Sequence, residues 1–268
     1  MADQAVDGGD DTGSTDVAAV VQVEDHGDVR LVRLNRPHAA NSLDPDTIGA
    51  LGRAFADAEH DDRVRSVVLT GAGDRVFCAG MDLKAFTKGR RGAADGPGLD
   101  VFMRRTFPKP IIAAVNGTAV AGGFELVLAC DMVVAAEHAR FGIPEVKRGL
   151  VAAGGGTRLP RRLPLAIALE LGLTGEMIDA QRALALGLVN RVVPATDVLA
   201  TAFELAAAVS ANGPLAVTIT KQLMYDEVAG VSGWDHIRDV SAPAFASADA
   251  QEGATAFAEK RLPRWTGR

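Results

Sequence analysis

The sequence predicts an α/β domain followed by a helical C-terminal region. Three patterns carry that expectation: short β-branched runs at 64–70, 111–115 and 132–136, glycine turns behind the first two, and helical apolar spacing that takes over after Leu163. A chain of 268 residues with 48% hydrophobic content can bury a large core in one such domain.

Residues 1–16 are polar, glycine-containing and acidic, and are expected to form a disordered head. They lack the apolar segment of a signal peptide and the arginines of a transit peptide. Residues 21–24 and 29–34 flank His26-Gly27-Asp28, a hairpin signal. Asp44-Pro45 then opens a helix, in which Ile48, Leu51, Ala54 and Phe55 recur at helical spacing. Between the first two of the three strands, residues 85–100 contain Lys88-Gly89-Arg90-Arg91-Gly92 and Gly96-Pro97-Gly98 and read as a mobile loop.

Helices are expected over 165–171, 180–186, 196–211, 214–228 and 248–261, with a short strand at 188–193. Gly187, Gly213 and Gly230 punctuate them. The organisation is therefore a head over 1–16, a core over 17–200 and a helical region over 201–268. Net charge is −6, but the head holds Asp3, Asp7, Asp10, Asp11 and Asp16, which leaves about −1 for the body. A near-neutral surface offers no footprint for nucleic acid. No run approaches the roughly 18 apolar residues of a membrane span, so no membrane partner is expected. Cys78 and Cys130, the two cysteines, fit a cytoplasmic enzyme with free thiols.

Two glutamates carry the chemistry. Glu125 closes Val115-Asn116-Gly117-Thr118-Ala119-Val120-Ala121-Gly122-Gly123-Phe124-Glu125, which reads as a strand end, a glycine turn and the start of an apolar helix. The first amides of a helix lack internal partners and carry partial positive charge, so a carbonyl oxygen placed there is polarised. Taken alone, Gly122-Gly123 reads rather as a packing turn and Glu125 as a first-turn carboxylate that complements the helix dipole. A second run, from Val67 through Gly71-Ala72-Gly73 to Ala79-Gly80-Met81-Asp82-Leu83-Lys84, shifts that balance. Gly80 exposes the amide of Met81, and Asp82 can cap a short helical start. Two donors converging on one oxygen make an oxyanion hole, worth about 3 kcal/mol or more for each donor.

The strings Ala79 to Lys84, Asn116-Gly117 with Ala121 to Glu125, and Phe141-Gly142-Ile143-Pro144-Glu145 resemble the crotonase superfamily, the enoyl-CoA hydratase/isomerase group. Leu34-Asn35-Arg36-Pro37, Asn41-Ser42-Leu43 and Phe257-Ala258-Glu259-Lys260-Arg261 match as well, so the resemblance spans about 21–268 in the right order. It implies a spiral of ββα units with a helical C-terminal oligomerisation region, and a homotrimer or a homohexamer of two trimers. It also implies an acyl-CoA thioester as the small-molecule substrate, with its carbonyl oxygen held by the amides of Met81 and Gly122.

In hydratases of this superfamily two glutamates hold a water beside the double bond. Glu125 and Glu145 occupy both matching positions, which implies syn addition of water to a trans-2-enoyl-CoA, with Glu125 as water-activating base and Glu145 as proton donor. Burial beside a like charge can keep one carboxyl protonated near neutral pH. Double-bond isomerases tend to keep only the match to Glu145, and dehalogenase-like members carry an aspartate there. Dehydration uses the same apparatus in reverse, and the tail over 249–265 is similar to that of carnitinyl-CoA dehydratase-like members. Ala152 stands where the commoner family form has proline, which bears on acyl specificity. The resemblance further assigns CoA phosphates to Lys84, with Asp82 and Leu83 beside it, and to Lys260. His38, Ala40 and Ala79 line the pantetheine and adenine path by backbone contact. Hydration needs no cofactor, since coenzyme A arrives with the substrate.

Rival chemistries lack their residues. Gly117 to Gly123 has the glycine spacing of a phosphate-binding P-loop, yet Gly123 stands at the lysine position and Phe124 at the hydroxyl position. Gly71-Ala72-Gly73 lacks the third glycine of a dinucleotide site, and no Gly-x-Ser-x-Gly nucleophile elbow occurs. His26, His38, His60, His138 and His236 are scattered without ligand-like pairs, so no metal is expected. Cys78, in the glycine loop, reads as a small buried filler rather than a nucleophile. The competing class is a non-catalytic acyl-CoA-binding scaffold, in which both glutamates are dispensable.

Overall fold

The computed structural model describes residues 19–90, 92, 93, 97–103 and 107–268. The acidic head expected over 1–16 lies outside the described residues, as do Arg91 and residues 94–96 of the expected loop. Strands β1 (Val21–His26) and β2 (Val29–Leu34) form the antiparallel hairpin, turning at Gly27 with φ +65°. Helix α1 (Pro45–His60) begins where Asp44 accepts a hydrogen bond from Thr47 N at 2.9 Å, with Pro45 pre-set for the first helical position. Its buried Phe55 stacks on Phe102 with centroids 4.4 Å apart and meets Phe107 edge-on at 5.3 Å, which anchors the helix to the core.

The chain then repeats one move. Strands β3 (Ser66–Gly71) and β4 (Val76–Cys78) lead to α2 (Leu83–Thr87) and α3 (Asp100–Met103). Strands β5 (Ile111–Val115) and β6 (Thr118–Val120) lead to α4 (Gly122–Ala129). Strands β7 (Met132–Ala136) and β8 (Arg140–Gly142) lead to two 3-10 turns, Pro144–Arg148 and Gly156–Arg161, and to α5 (Leu165–Thr174). Strand β9 (Ile178–Asp179), helix α6 (Ala180–Ala185) and strand β10 (Arg191–Val193) complete the core.

The first strand of each pair joins a six-stranded sheet in the order β1-β2-β3-β5-β7-β10, parallel except for the hairpin. The second joins a four-stranded sheet, β4-β6-β8-β9. This is a spiral of ββα units. Strands β3 and β5 are buried along their whole length, which is why they read as unbroken apolar runs rather than alternating ones. The three-residue strands β4, β6 and β8 sit among glycines and were not expected, being too short to show a period of two.

Helix α7 (Val198–Ser210) lies across β3, β5 and β7 and buries Val198, Ala202 and Ala206. The boundary expected at 200 falls inside it. Helices α8 (Pro214–Val228), α9 (Trp234–Phe245) and α10 (Ala248–Glu259) follow. Helix α9 was not anticipated, because Pro243 stands inside it and its first half is mostly polar. The stretch expected to be a loop from 85 begins instead with the last turn of α2, capped by Asp82. Among the described residues no single helix is long and apolar enough to cross a membrane.

Candidate active site

Met81 lies between two main-chain bonds that tie its loop to Leu43. Leu43 N donates to Gly80 O at 2.8 Å and Asp82 N donates to Leu43 O at 3.0 Å. The Met81 N–H falls between them and meets no backbone acceptor among the described residues. Gly122 opens α4, where no preceding turn supplies a carbonyl. The two amides come together because both approaching segments are glycine. A Cβ added to Gly80 would sit 2.7 Å from Gly122 N, and one added to Gly122 would sit 3.5 Å from Met81 N. Gly123 packs so closely that its Cβ would collide with the Cys78 carbonyl oxygen.

Ala121, just before the helix, has φ +52° and ψ −129°, a region that side chains other than glycine rarely enter. Two bonds hold it there: Ala121 N donates to Gly142 O at 3.0 Å, and Glu125 N to Ala121 O at 2.9 Å. Such a residue stores about 1–3 kcal/mol of strain.

Glu125 lies three residues beyond Gly122, hence on the same face of α4. It is buried, and its Oε1 accepts from Gly156 N at 2.9 Å. Gly154 passes so close that a Cβ there would lie 2.5 Å from Oε2. Burial pushes the Glu125 carboxyl above the usual carboxylate range, while the amides of Gly156, Gly154 and Gly155 and the charge of Arg158 pull the other way.

Glu145 enters from the 3-10 turn Pro144–Arg148 and is half-buried. Its Oε2 is buried without a hydrogen-bond partner, which leaves a polar atom free for a ligand. Burial raises this carboxyl too, its own backbone amide pulls it back, the negative charge of Glu125 raises it further, and Arg148 opposes that rise. Burial thus favours the protonated form of both carboxyls, which suits acid/base chemistry. Both glutamates, Met81 and Gly122 line one cavity of about 400 Å³.

The remaining expected residues divide into three groups. Ala79 and Leu83 line the same cavity, and Ala40 adjoins it through its carbonyl, which accepts from Ala79 N at 3.0 Å. His38 is exposed in the 3-10 turn Pro37–Ala39, Lys84 is exposed on α2, and Lys260 is the exposed left-handed cap of α10. Asp82 turns away from the cavity: it caps α2 through the amides of Lys84 and Ala85, and it lies 3.2 Å from Arg36 Nη2. Arg36 also donates to Ser42 O at 2.6 Å and pairs with Asp44 at 3.1 Å, so it clamps the loop that carries Met81. Neither Arg36 nor the Gly154 to Gly156 cradle had been singled out as part of the site. The triple glycine beside a catalytic candidate was the available signal. Cys78 is fully buried and its thiol is pushed up to about 12, which makes it a poor nucleophile. No group of three potential ligands for a metal ion occurs among the described residues.

The family model for enoyl-CoA hydratase/isomerase matches residues 24–268. The chain belongs to the enoyl-CoA hydratase/isomerase family. Among its relatives, this family member is 42% identical over 252 residues to a carnitinyl-CoA dehydratase of Proteus mirabilis, covering 90% of this chain and 96% of that one. An enoyl-CoA hydratase structure from Mycobacterium tuberculosis superposes with a TM-score of 0.88 at 47% identity, covering 93% of this chain and all of that one. The enoyl-CoA hydratase EchA1 from Mycobacterium marinum gives 0.87 at 48% identity, with coverage of 93% of this chain and 100% of its own. Membership in this family makes the chain a crotonase-type enzyme, and its hydratase and dehydratase relatives support lyase activity.

Proposed function

We propose that this family member adds water across the double bond of a trans-2-enoyl-CoA. The observation that carries the reading is the meeting of the Met81 and Gly122 amides beside two carboxyls that both resist ionisation. In this mechanism the thioester oxygen accepts from the two amides, which stabilise the enolate-like charge that develops there. Glu125, held by the glycine cradle, takes a proton from water as the oxygen attacks the β-carbon. Glu145 delivers a proton to the α-carbon on the same face. Each acid/base role contributes about 10²–10⁴-fold.

Coenzyme A enters only as part of the substrate, with Lys84 and Lys260 as phosphate contacts at its far end. Trp234, Phe245, Phe257 and Leu262 are each at least 79% exposed on the C-terminal helices and tail, which supports a homotrimer or homohexamer assembled through that region. The carnitinyl-CoA dehydratase relatives favour a second reading, in which the same groups run in reverse and remove water. Crotonyl-CoA hydration, followed as loss of the conjugated thioester's ultraviolet absorbance, tests the main reading. Glu125→Gln and Glu145→Gln should each slow turnover at least about a hundredfold. If neither does so, the two-glutamate mechanism is wrong, and a wild-type protein inactive on every enoyl-CoA speaks for a scaffold.

A further inference from the structure

The cavity wall is largely apolar, with Leu83, Leu150 and Val151 among its lining residues, and among the described residues it carries a single basic side chain, Arg148. Helix type sets the position of that residue. Glu145 and Arg148 are three residues apart in the 3-10 turn Pro144–Arg148, where side chains at that spacing lie one above the other, about 6 Å along the axis. Gly149 then ends the turn at φ +66°, and Leu150 N donates to Glu145 O at 3.1 Å, which returns Leu150 and Val151 to the same wall.

The neighbouring cation is committed elsewhere, since Lys147 Nζ lies 2.6 Å from Glu176. Arg148 has no such commitment: among the described residues it makes no ion pair, and it faces Glu145 only through space. Arg148 is exposed, so its guanidinium stands at the solvent side of this apolar cavity, where its fork matches a carboxylate and repels a cation.

We propose that Arg148 selects acyl-CoA thioesters whose acyl group carries a carboxylate a few bonds beyond the reacting double bond, and selects against acyl groups with a quaternary ammonium there. The inference rests on the acyl-CoA reading of this cavity, and on it an acyl group carrying a cation at that distance is disfavoured.

Binding and turnover test it separately. Calorimetry with glutaryl-CoA and butyryl-CoA, neither of which can be hydrated, reads recognition without chemistry. Wild type should bind glutaryl-CoA about tenfold tighter or more, Arg148→Leu should abolish that preference, and Arg148→Lys should keep part of it. In turnover, the ratio of kcat/KM for (E)-glutaconyl-CoA to that for crotonyl-CoA should fall about tenfold in Arg148→Leu, mainly through KM. Arg148→Glu should turn the preference toward crotonobetainyl-CoA. Should Arg148 only tune Glu145, all substrates will change by one factor, the pH profile will move, and the ratios will stay within about twofold in Arg148→Leu. That result overturns the proposal. Hydration of crotonyl-CoA by wild type reports on the functional reading itself. Its absence with (E)-glutaconyl-CoA as well as crotonyl-CoA, alongside intact glutaryl-CoA selectivity, defeats that reading and leaves the recognition by Arg148 standing.

Discussion

Asp82 Oδ2 lies 3.2 Å from Arg36 Nη2, and both side chains are largely buried, so the carboxylate that follows Met81 holds the loop in place from behind. The same carboxylate caps α2 through the amides of Lys84 and Ala85. Asp82→Ala removes both contacts and leaves Arg36 with Asp44. A lost cap costs about 1 kcal/mol, and the broken partly buried pair a comparable amount. At this chain length the sum lowers Tm by about 4–8 °C. Asp82→Asn keeps the cap and should show about half the shift. Because Met81 loosens, crotonyl-CoA turnover should also fall about tenfold in the alanine variant. A melt unchanged from wild type sinks the clamp.

Adjacent glycines should respond in opposite ways. A Cβ on Gly122 meets Gly80 Cα at 3.3 Å, a tight contact that the Gly80 backbone must relieve by a few tenths of an ångström, and Met81 N at 3.5 Å, an ordinary one, and it stands where an oxygen would approach the two amides. Gly122→Ala is therefore expected to fold with a modestly lowered melt and to lose about a hundredfold or more in kcat. Gly123→Ala drives its Cβ into the Cys78 carbonyl and should fail to fold or melt far lower. Equal damage to stability from both substitutions would argue against an amide pair reserved for a ligand.

Both glutamates are held above the unfolded carboxylate value of 4.5, chiefly by burial. The folded chain therefore binds more protons than the unfolded chain between that value and the raised ones. Below 4.5 both states are protonated and the difference vanishes, while stability is lost as pH rises through the folded values. Glu145→Gln, which cannot ionise, should melt above wild type at pH 7, and the gap should close near pH 4. The rate needs one carboxyl ionised and the other protonated, so kcat/KM should trace a bell whose acid limb lies above 4.5. A flat profile for stability difference and rate alike contradicts the shared-proton arrangement.

What could be read from the sequence follows contact range. Gly122 and Glu125 share one helix turn, and Gly80 and Met81 are neighbours, so each half of the site is contiguous and legible. The long strands β3, β5 and β7 declared themselves by β-branched content. The contacts that hold the site together were not legible, because they join distant segments. Gly156 reaches Glu125 across 31 residues and Arg36 reaches Asp82 across 46. Asp82 shows the consequence. Read locally, it was one of a row of substrate-binding candidates with Leu83 and Lys84, and only the spiral winding brings Arg36 to it. Arg148 escaped for another reason: a basic residue three beyond Glu145 reads as a solvated side chain, and only the cavity assembled from distant segments shows that both line one wall.

Ala121 gives a prediction in which strain and function oppose each other. Its φ of +52° with ψ −129° suits glycine, so Ala121→Gly should release about 1–3 kcal/mol of strain. The extra freedom of glycine in the unfolded chain takes back about 0.5–1 kcal/mol, which leaves a net gain and a Tm raised by a few degrees. Residues Gly122 and Glu125 follow directly on this backbone angle, since Ala121 O accepts the Glu125 amide. A looser angle lets the Gly122 N–H wander from its partner at Met81, so kcat for crotonyl-CoA should fall while the melt improves. Ala121→Val, β-branched in the same region, should be worse on both counts. Should Ala121→Gly lower Tm, the alanine is unstrained where it stands, and the angle is set by packing that a methyl group supports.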